Sequence, residues 1–91
     1  MRITRLEWSE EHVWHIARHR VDPEEVEEAC FSGTPFIERG SGGLYYVSGL
    51  TSGGRHLCIV IRSLGQGKAK VVTARDMDQK EHRRYRHRKT G

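Results

Sequence analysis

From Phe36 to Asp76 short apolar stretches alternate with glycine clusters, and this pattern constrains the fold more than anything else in the chain. Phe36 to Arg39, Leu44 to Leu50, Arg55 to Ser63 and Lys70 to Asp76 each have the length and residue types of a strand. Between them stand Gly40-Ser41-Gly42-Gly43, Thr51-Ser52-Gly53-Gly54 and Gly65-Gln66-Gly67. Glycine supplies the positive backbone dihedrals that tight connections require, so the four strands are expected to run as an antiparallel meander.

Helices are expected on either side of this block. Ile3 to Trp8 alternates as a first strand, at an edge of the sheet. Ser9 caps a helix whose first turn carries Glu10 and Glu11 and whose Val13, Trp14, Ile16 and Ala17 recur at helical spacing, ending near Arg20. Asp22-Pro23-Glu24-Glu25 opens a second helix, with Asp as cap, Pro at the first position and Glu at the third. Val26, Ala29 and Cys30 form its buried stripe, and Ser32-Gly33-Thr34-Pro35 stops it. Asp78 to Glu81 repeats the capping pattern and opens a last helix that reaches Lys89. The sequence is therefore read as one α+β domain spanning residues 1–91, with 78–91 a basic C-terminal helix or partly disordered tail.

With 91 residues, 35% of them hydrophobic and 31% charged, the core must be thin and the surface strongly ionic. Such a domain is expected to gain stability from a partner. No apolar run is long enough to span a membrane and no signal peptide is visible, so a cytoplasmic setting is expected. Cys30 and Cys58 are read as free thiols.

Charge is concentrated at the C-terminal end. The last twelve residues hold Lys80, Arg83, Arg84, Arg86, Arg88 and Lys89 against Glu81 alone, while the rest of the chain is close to neutral. A helix with Tyr85 as its only large apolar side chain turns its cations to water or to phosphates. The antiparallel hairpin brings Arg55, at the start of one strand, and Arg75, at the end of the next, to one rim. There two guanidiniums can grip a phosphate and stabilise charge developing on it, the alternative being two unrelated surface arginines. His12, His15 and His19 share a helical stripe, but without metal-ligand spacing among Glu or Cys no metal is expected. His19 lies between Arg18 and Arg20, a setting that favours a neutral imidazole and makes it a candidate base. Of Tyr45 and Tyr46, one faces the core and the other solvent, where it can stack on a base. Glu24, Glu25, Glu27 and Glu28 read as a solvated acidic face. No glycine-rich loop precedes a helix, and no nucleophile-His arrangement stands out. What remains is phosphate chemistry without a cofactor.

Taken in order, several motifs resemble the BrnT toxins. They are Trp8-Ser9-Glu10, His15 through Val26, Gly49-Leu50-Thr51, Gly54-Arg55, Thr73-Ala74-Arg75-Asp76-Met77 and Glu81-His82-Arg83-Arg84-Tyr85. The resemblance implies a RelE-like fold, a small antiparallel sheet of four or five strands with two N-terminal helices packed on it. It also implies a metal-independent ribonuclease that arrests translation and is neutralised by a BrnA-like antitoxin, through which alone it would meet DNA. The implied catalytic residues are Arg55 and Arg75 for charge, His19 or Glu81 as base, and Tyr85 or a nearby cation at the leaving group. Arg18, Lys80, Arg83 and Arg84 would bind RNA. This chain departs from the family where Asn-x-x-Lys-His-Gly-Val is usual, having His15, Arg18 and Arg20, and an arginine cannot replace a lysine as a base. The competing readings are a non-catalytic RNA- or antitoxin-binding module of the same fold, and a structural partner with a basic tail.

Overall fold

The computed structural model describes residues 2–90. Its elements are β1 (Arg5–Glu7), α1 (Glu10–Ala17), α2 (Pro23–Phe31), β2 (Phe36–Arg39), β3 (Leu44–Leu50), β4 (His56–Gly65), β5 (Lys68–Asp76) and α3 (Gln79–Thr90). The five strands form one sheet in the order β1-β5-β4-β3-β2. Strands β2 to β5 are the expected antiparallel meander, and β1 is the expected edge strand. However, β1 runs parallel to β5, which makes the sheet mixed rather than antiparallel. Two helices separate β1 from the meander, and a connection of that length permits a parallel neighbour where a hairpin does not.

The β4–β5 hairpin is tighter than the sequence suggested. Gly65 pairs with Lys68, leaving a two-residue loop in which Gln66 (φ 56°) and Gly67 (φ 81°) are both left-handed. Positive φ at both positions is the signature of a type I′ turn, whose twist matches that of the flanking strands.

One face of the sheet carries the core. Leu57, Ile59 and Ile61 of β4 and Val47 of β3 are fully buried under α1 and α2, which contribute Ile16, Val26, Ala29 and Cys30. On β5 the alternation breaks, because Ile61 pairs with Val71 whereas Val60 pairs with Thr73. Val72 is the extra residue of a bulge. Beyond it Ala74 and Asp76 share the helix-covered face, while Thr73 and Arg75 join Cys58 and Val60 on the other.

Local chemistry sets the helix ends. Ser9 caps α1 by accepting from the His12 N–H. The helix closes in a Schellman arrangement, with Val21 N–H on Ile16 O (3.2 Å) and Arg20 N–H on Ala17 O (3.0 Å). Arg20 takes the left-handed position at φ 59°. Helix α2 starts from a capping box in which Glu25 N–H donates to Asp22 Oδ1 and Asp22 N–H to Glu25 Oε1.

The acidic face of α2 is not simply solvated, as the sequence suggested. Glu25 holds Arg55, Glu27 accepts from Trp8 Nε1 (2.9 Å), and Glu28 accepts from Ser52 N–H (3.1 Å). These carboxylates latch the helix to Trp8, just after β1, and to the β3–β4 connection.

Helix α3 covers part of the other face. Its anchor is Tyr85, 6% exposed and packed edge-on against Phe36 and His56, both at 5.4 Å between ring centres. His82 lies 4.0 Å from the His56 ring, and Arg88 sits over Phe36 at 4.6 Å. Two cation-bearing turns of α3 are thus docked on aromatic rings rather than left free. Among the described residues, no helix is long and apolar enough to cross a membrane.

Candidate functional site

Arg55 and Arg75 reach the same end of the sheet from neighbouring strands, but they leave it on opposite faces. Arg55 precedes Leu57 by two and shares its face. Its guanidinium donates to Asp76 Oδ1 (2.7 Å) and Oδ2 (3.0 Å), to Glu25 Oε1 (3.0 Å), and to the carbonyls of Arg20 (2.6 Å) and His19 (3.2 Å). Arg75 pairs across the sheet with Cys58 and points the other way. It grips Glu81 through two parallel hydrogen bonds of 2.7 and 2.9 Å and donates to its neighbour's carbonyl, Asp76 O, at 3.0 Å.

The expected convergence of the two arginines on one anion is therefore corrected. They share no partner group, and the sheet lies between them. The bulge at Val72 fixes this outcome, because it decides the face on which Arg75 emerges. The two arginines nevertheless do the same thing twice. Each binds the third-position glutamate of a capping box, Glu25 of α2 on one face and Glu81 of α3 on the other, where Glu81 N–H donates to Asp78 Oδ1 and Asp78 N–H to Glu81 Oε1.

The open face next to α3 holds a cleft of about 390 Å³, lined by Arg75, Glu81 and Arg84 together with Glu38, Arg39, Tyr46, Ser48, Cys58, Val60 and Thr73. Of these, Arg75, Glu81 and Arg84 were expected in a site from the sequence, Tyr46 was one of the two tyrosines of which one was expected to stack on a base, and Cys58 was read as a free thiol. Glu38, Arg39, Ser48 and Thr73 were not placed in a site, although for Glu38, Ser48 and Thr73 strand alternation carried the signal. Cross-strand pairing of Glu38 with Tyr46, Tyr46 with Val60, Val60 with Thr73, and Ser48 with Cys58 puts these residues on one face once the register is known, while Arg39, the partner of Tyr45, borders the cleft from the last position of β2. Tyr46 is the solvent-facing member of its pair and Tyr45 packs on the core, as alternation requires.

Electrostatics in the cleft are dominated by the Arg75–Glu81 fork. The guanidinium, followed by the Asp78 backbone N–H, holds the Glu81 carboxyl down to about 2, against burial that works the other way. Arg75 is correspondingly pushed up by Glu81. Cys58 Sγ lies 3.6 Å from Glu81 Oε2, and burial followed by that carboxylate pushes its thiol up to about 11. Cys58 is thus a neutral thiol and a poor nucleophile. Cys30, buried on the opposite side of the sheet, is likewise free and pushed up to about 12.

The remaining sequence candidates lie elsewhere. His19 is exposed beyond the end of α1, its carbonyl on Arg55 and its ring 5.8 Å from that of His15. Arg18 borders a shallow groove with Trp14, His15 and Val72. Tyr85 packs under α3 outside the cleft, and burial pushes its phenol up. Lys80 is exposed on the first turn of α3, and Arg83 flanks His82 and Arg86 on the helix's outer side.

No protein-family model matches the chain, and no curated protein matches it. Among solved structures, the crystal structure of the Brucella abortus ribonuclease toxin BrnT is similar, with a TM-score of 0.67 and 17% sequence identity. The match covers 82% of this chain and 97% of that one. The likeness is one of fold, and it agrees with the BrnT-like architecture expected from the sequence motifs.

Proposed function

We propose that this BrnT-like domain is the toxin of a toxin–antitoxin pair, and that it inhibits translation by cutting RNA in the open-face cleft without a metal. The observation that carries this reading is the Arg75–Glu81 fork. It presents a guanidinium in the two-pronged geometry that suits phosphate oxygens, next to Arg39 and Arg84 in the same cleft. Support also comes from the fold shared with a protein named as a ribonuclease toxin. A thin, highly charged domain suits a BrnA-like acidic antitoxin that covers the cleft. Contact with DNA would then be indirect, and the target RNA places the activity in the cytoplasm.

In this reading Glu81 occupies Arg75 as an internal anion until a phosphodiester takes its place. A carboxyl held near 2 is too acidic to serve as a base at neutral pH. Transfer of Arg75 to the phosphate removes the largest cause of that depression and adds a negative charge nearby, and both changes raise the Glu81 carboxyl. Glu81 then accepts the proton of the RNA 2′-hydroxyl. The O2′–P bond forms, the P–O5′ bond breaks, and the departing 5′ oxygen takes a proton from water. Arg75 and Arg84 stabilise the charge on the five-coordinate phosphorus. Arg55, bound to two carboxylates and two carbonyls, belongs to the scaffold in this account, as does Tyr85.

The test is cleavage of single-stranded RNA by the purified protein in EDTA. Arg75→Ala is expected to cut roughly a hundredfold more slowly or worse, and to lose growth arrest while remaining folded. Wild-type cleavage by that variant would reject the assignment. A second reading, a non-catalytic RNA- or antitoxin-binding module, draws on the same fork, because Arg75 is already satisfied by Glu81. Binding without turnover by the wild-type protein would decide for it.

A further inference from the structure

Beyond the Arg75–Glu81 fork the cleft extends over β2 and β3, and that half has a chemistry of its own. Glu38 and Tyr46 are cross-strand partners on the open face, and both line the cleft. Tyr46 is 41% exposed. Its ring leans on Gly40, where a Cβ would stand 2.5 Å from the ring's Cε2, so a side chain at position 40 would displace it. Glu38 is held by Arg88, whose Nη1 donates to Oε1 at 3.0 Å while the guanidinium rests on the Phe36 ring. Only one carboxylate oxygen is engaged, and the side chain remains 42% exposed. Arg39 borders the same space and forms no ion pair among the described residues.

A planar aromatic surface, a fixed carboxylate and an uncommitted guanidinium are the parts of a base-reading pocket. Guanine alone among the four RNA bases offers two adjacent donors, N1–H and N2–H2, beside an acceptor, O6. A carboxylate supplies two acceptors and a guanidinium supplies the donor. Adenine, cytosine and uracil each set an acceptor against the carboxylate. We propose that this half of the cleft selects guanine, with the base stacked on Tyr46, its donor edge on Glu38 and O6 facing Arg39. The proposal rests on the nuclease reading for its biological purpose, but the pocket can be tested without turnover. A site that hydrogen-bonds one base edge rejects an analogue lacking it far more strongly than an apolar pocket does.

The experiment is calorimetric titration of the full chain with guanosine, adenosine, cytidine and uridine 3′-monophosphates. The guanosine nucleotide is expected to bind at least tenfold more tightly than the other three. Glu38→Gln replaces one acceptor by a donor and should erase that preference, whereas Tyr46→Ala should weaken all four nucleotides by roughly tenfold. Arg88→Ala removes the ion pair but keeps the carboxylate, so it should retain the preference. This outcome would separate recognition by Glu38 from a structural role of its ion pair. Equal affinity for the four nucleotides, or an undiminished guanine preference in Glu38→Gln, would overturn the proposal. RNA cleavage without base preference would sink guanine reading alone, and selective guanosine binding without RNA cleavage would sink the nuclease reading alone.

Discussion

Arg55 satisfies two carboxylates and two backbone carbonyls from three separate parts of the chain, so its removal strands several acceptors at once. Hydrogen bonds to charged groups contribute about 1.5 to 3 kcal/mol each when partly buried, though water can replace some of them here. Arg55→Ala is therefore expected to lower unfolding stability by about 2 kcal/mol in urea titration, while the folded fraction keeps its cleavage activity. Arg75→Ala should behave in the opposite way, losing activity with a stability change of about 1 kcal/mol or less, since the Arg75 side chain is 45% exposed and Glu81 keeps its capping bonds to Asp78. Arg20 makes a separate prediction. A non-glycine residue at φ 59° carries about 1 kcal/mol of strain, and the BrnT pattern has glycine there. Arg20→Gly should raise the urea midpoint while leaving its carbonyl available to Arg55. Both arginines at the sheet's end were visible in the sequence as residues that matter. Their division of labour was not, because it depends on which face each side chain leaves by.

At the level of elements, α3 carries its own pH dependence. Glu81 sits at about 2 in the folded protein against an ordinary value near 4.5. A carboxyl depressed by folding contributes stability that is fully present above its unfolded value and is lost as pH falls through the folded one. Docking of α3 should accordingly weaken between about pH 4.5 and pH 2, and Glu81→Gln should flatten that part of the urea stability profile. Unchanged acid sensitivity in the variant would show that the fork does not hold the helix. Helix starts were legible because capping is local: Ser9, Asp22 and Asp78 each announce their helix within four residues. The bulge was not, because Val71-Val72 reads as ordinary strand and only pairing with Val60 and Ile61 shows that one residue is surplus. The parallel β1–β5 pair was hidden for the same reason, being a contact between residues more than sixty positions apart.

Across the whole molecule the positive charge is less of a tail than the sequence implied. Tyr85 and Arg88 dock α3 on the sheet, and the cleft gathers Arg39, Arg75 and Arg84 from three elements. Each phosphate contact on single-stranded RNA contributes about 0.7 to the slope of log affinity against log salt. Phosphate contacts through Arg75 and Arg84 should give a slope of about −1.4, and Arg84→Ala should reduce its magnitude by about 0.7. A slope unchanged in that variant would move the RNA off the cleft. The α+β class, the meander and the two-helix layer could be read from glycine spacing and caps, whereas the cleft itself could not. Its walls come from β2, β3, β4, β5 and α3, and no stretch of sequence contains more than a fragment of it.

Asp76 stands where the two layers come closest. Its carboxylate serves Arg55 under the helices, and its carbonyl serves Arg75 over the cleft. A single peptide is thus all that insulates the foundation from the working surface. When a phosphate draws Arg75 away from Glu81, the tug is delivered to a residue whose carboxylate holds Arg55, the clamp on the loop after α1, so occupancy on one side of the sheet should register as a change in backbone amide protection on the other.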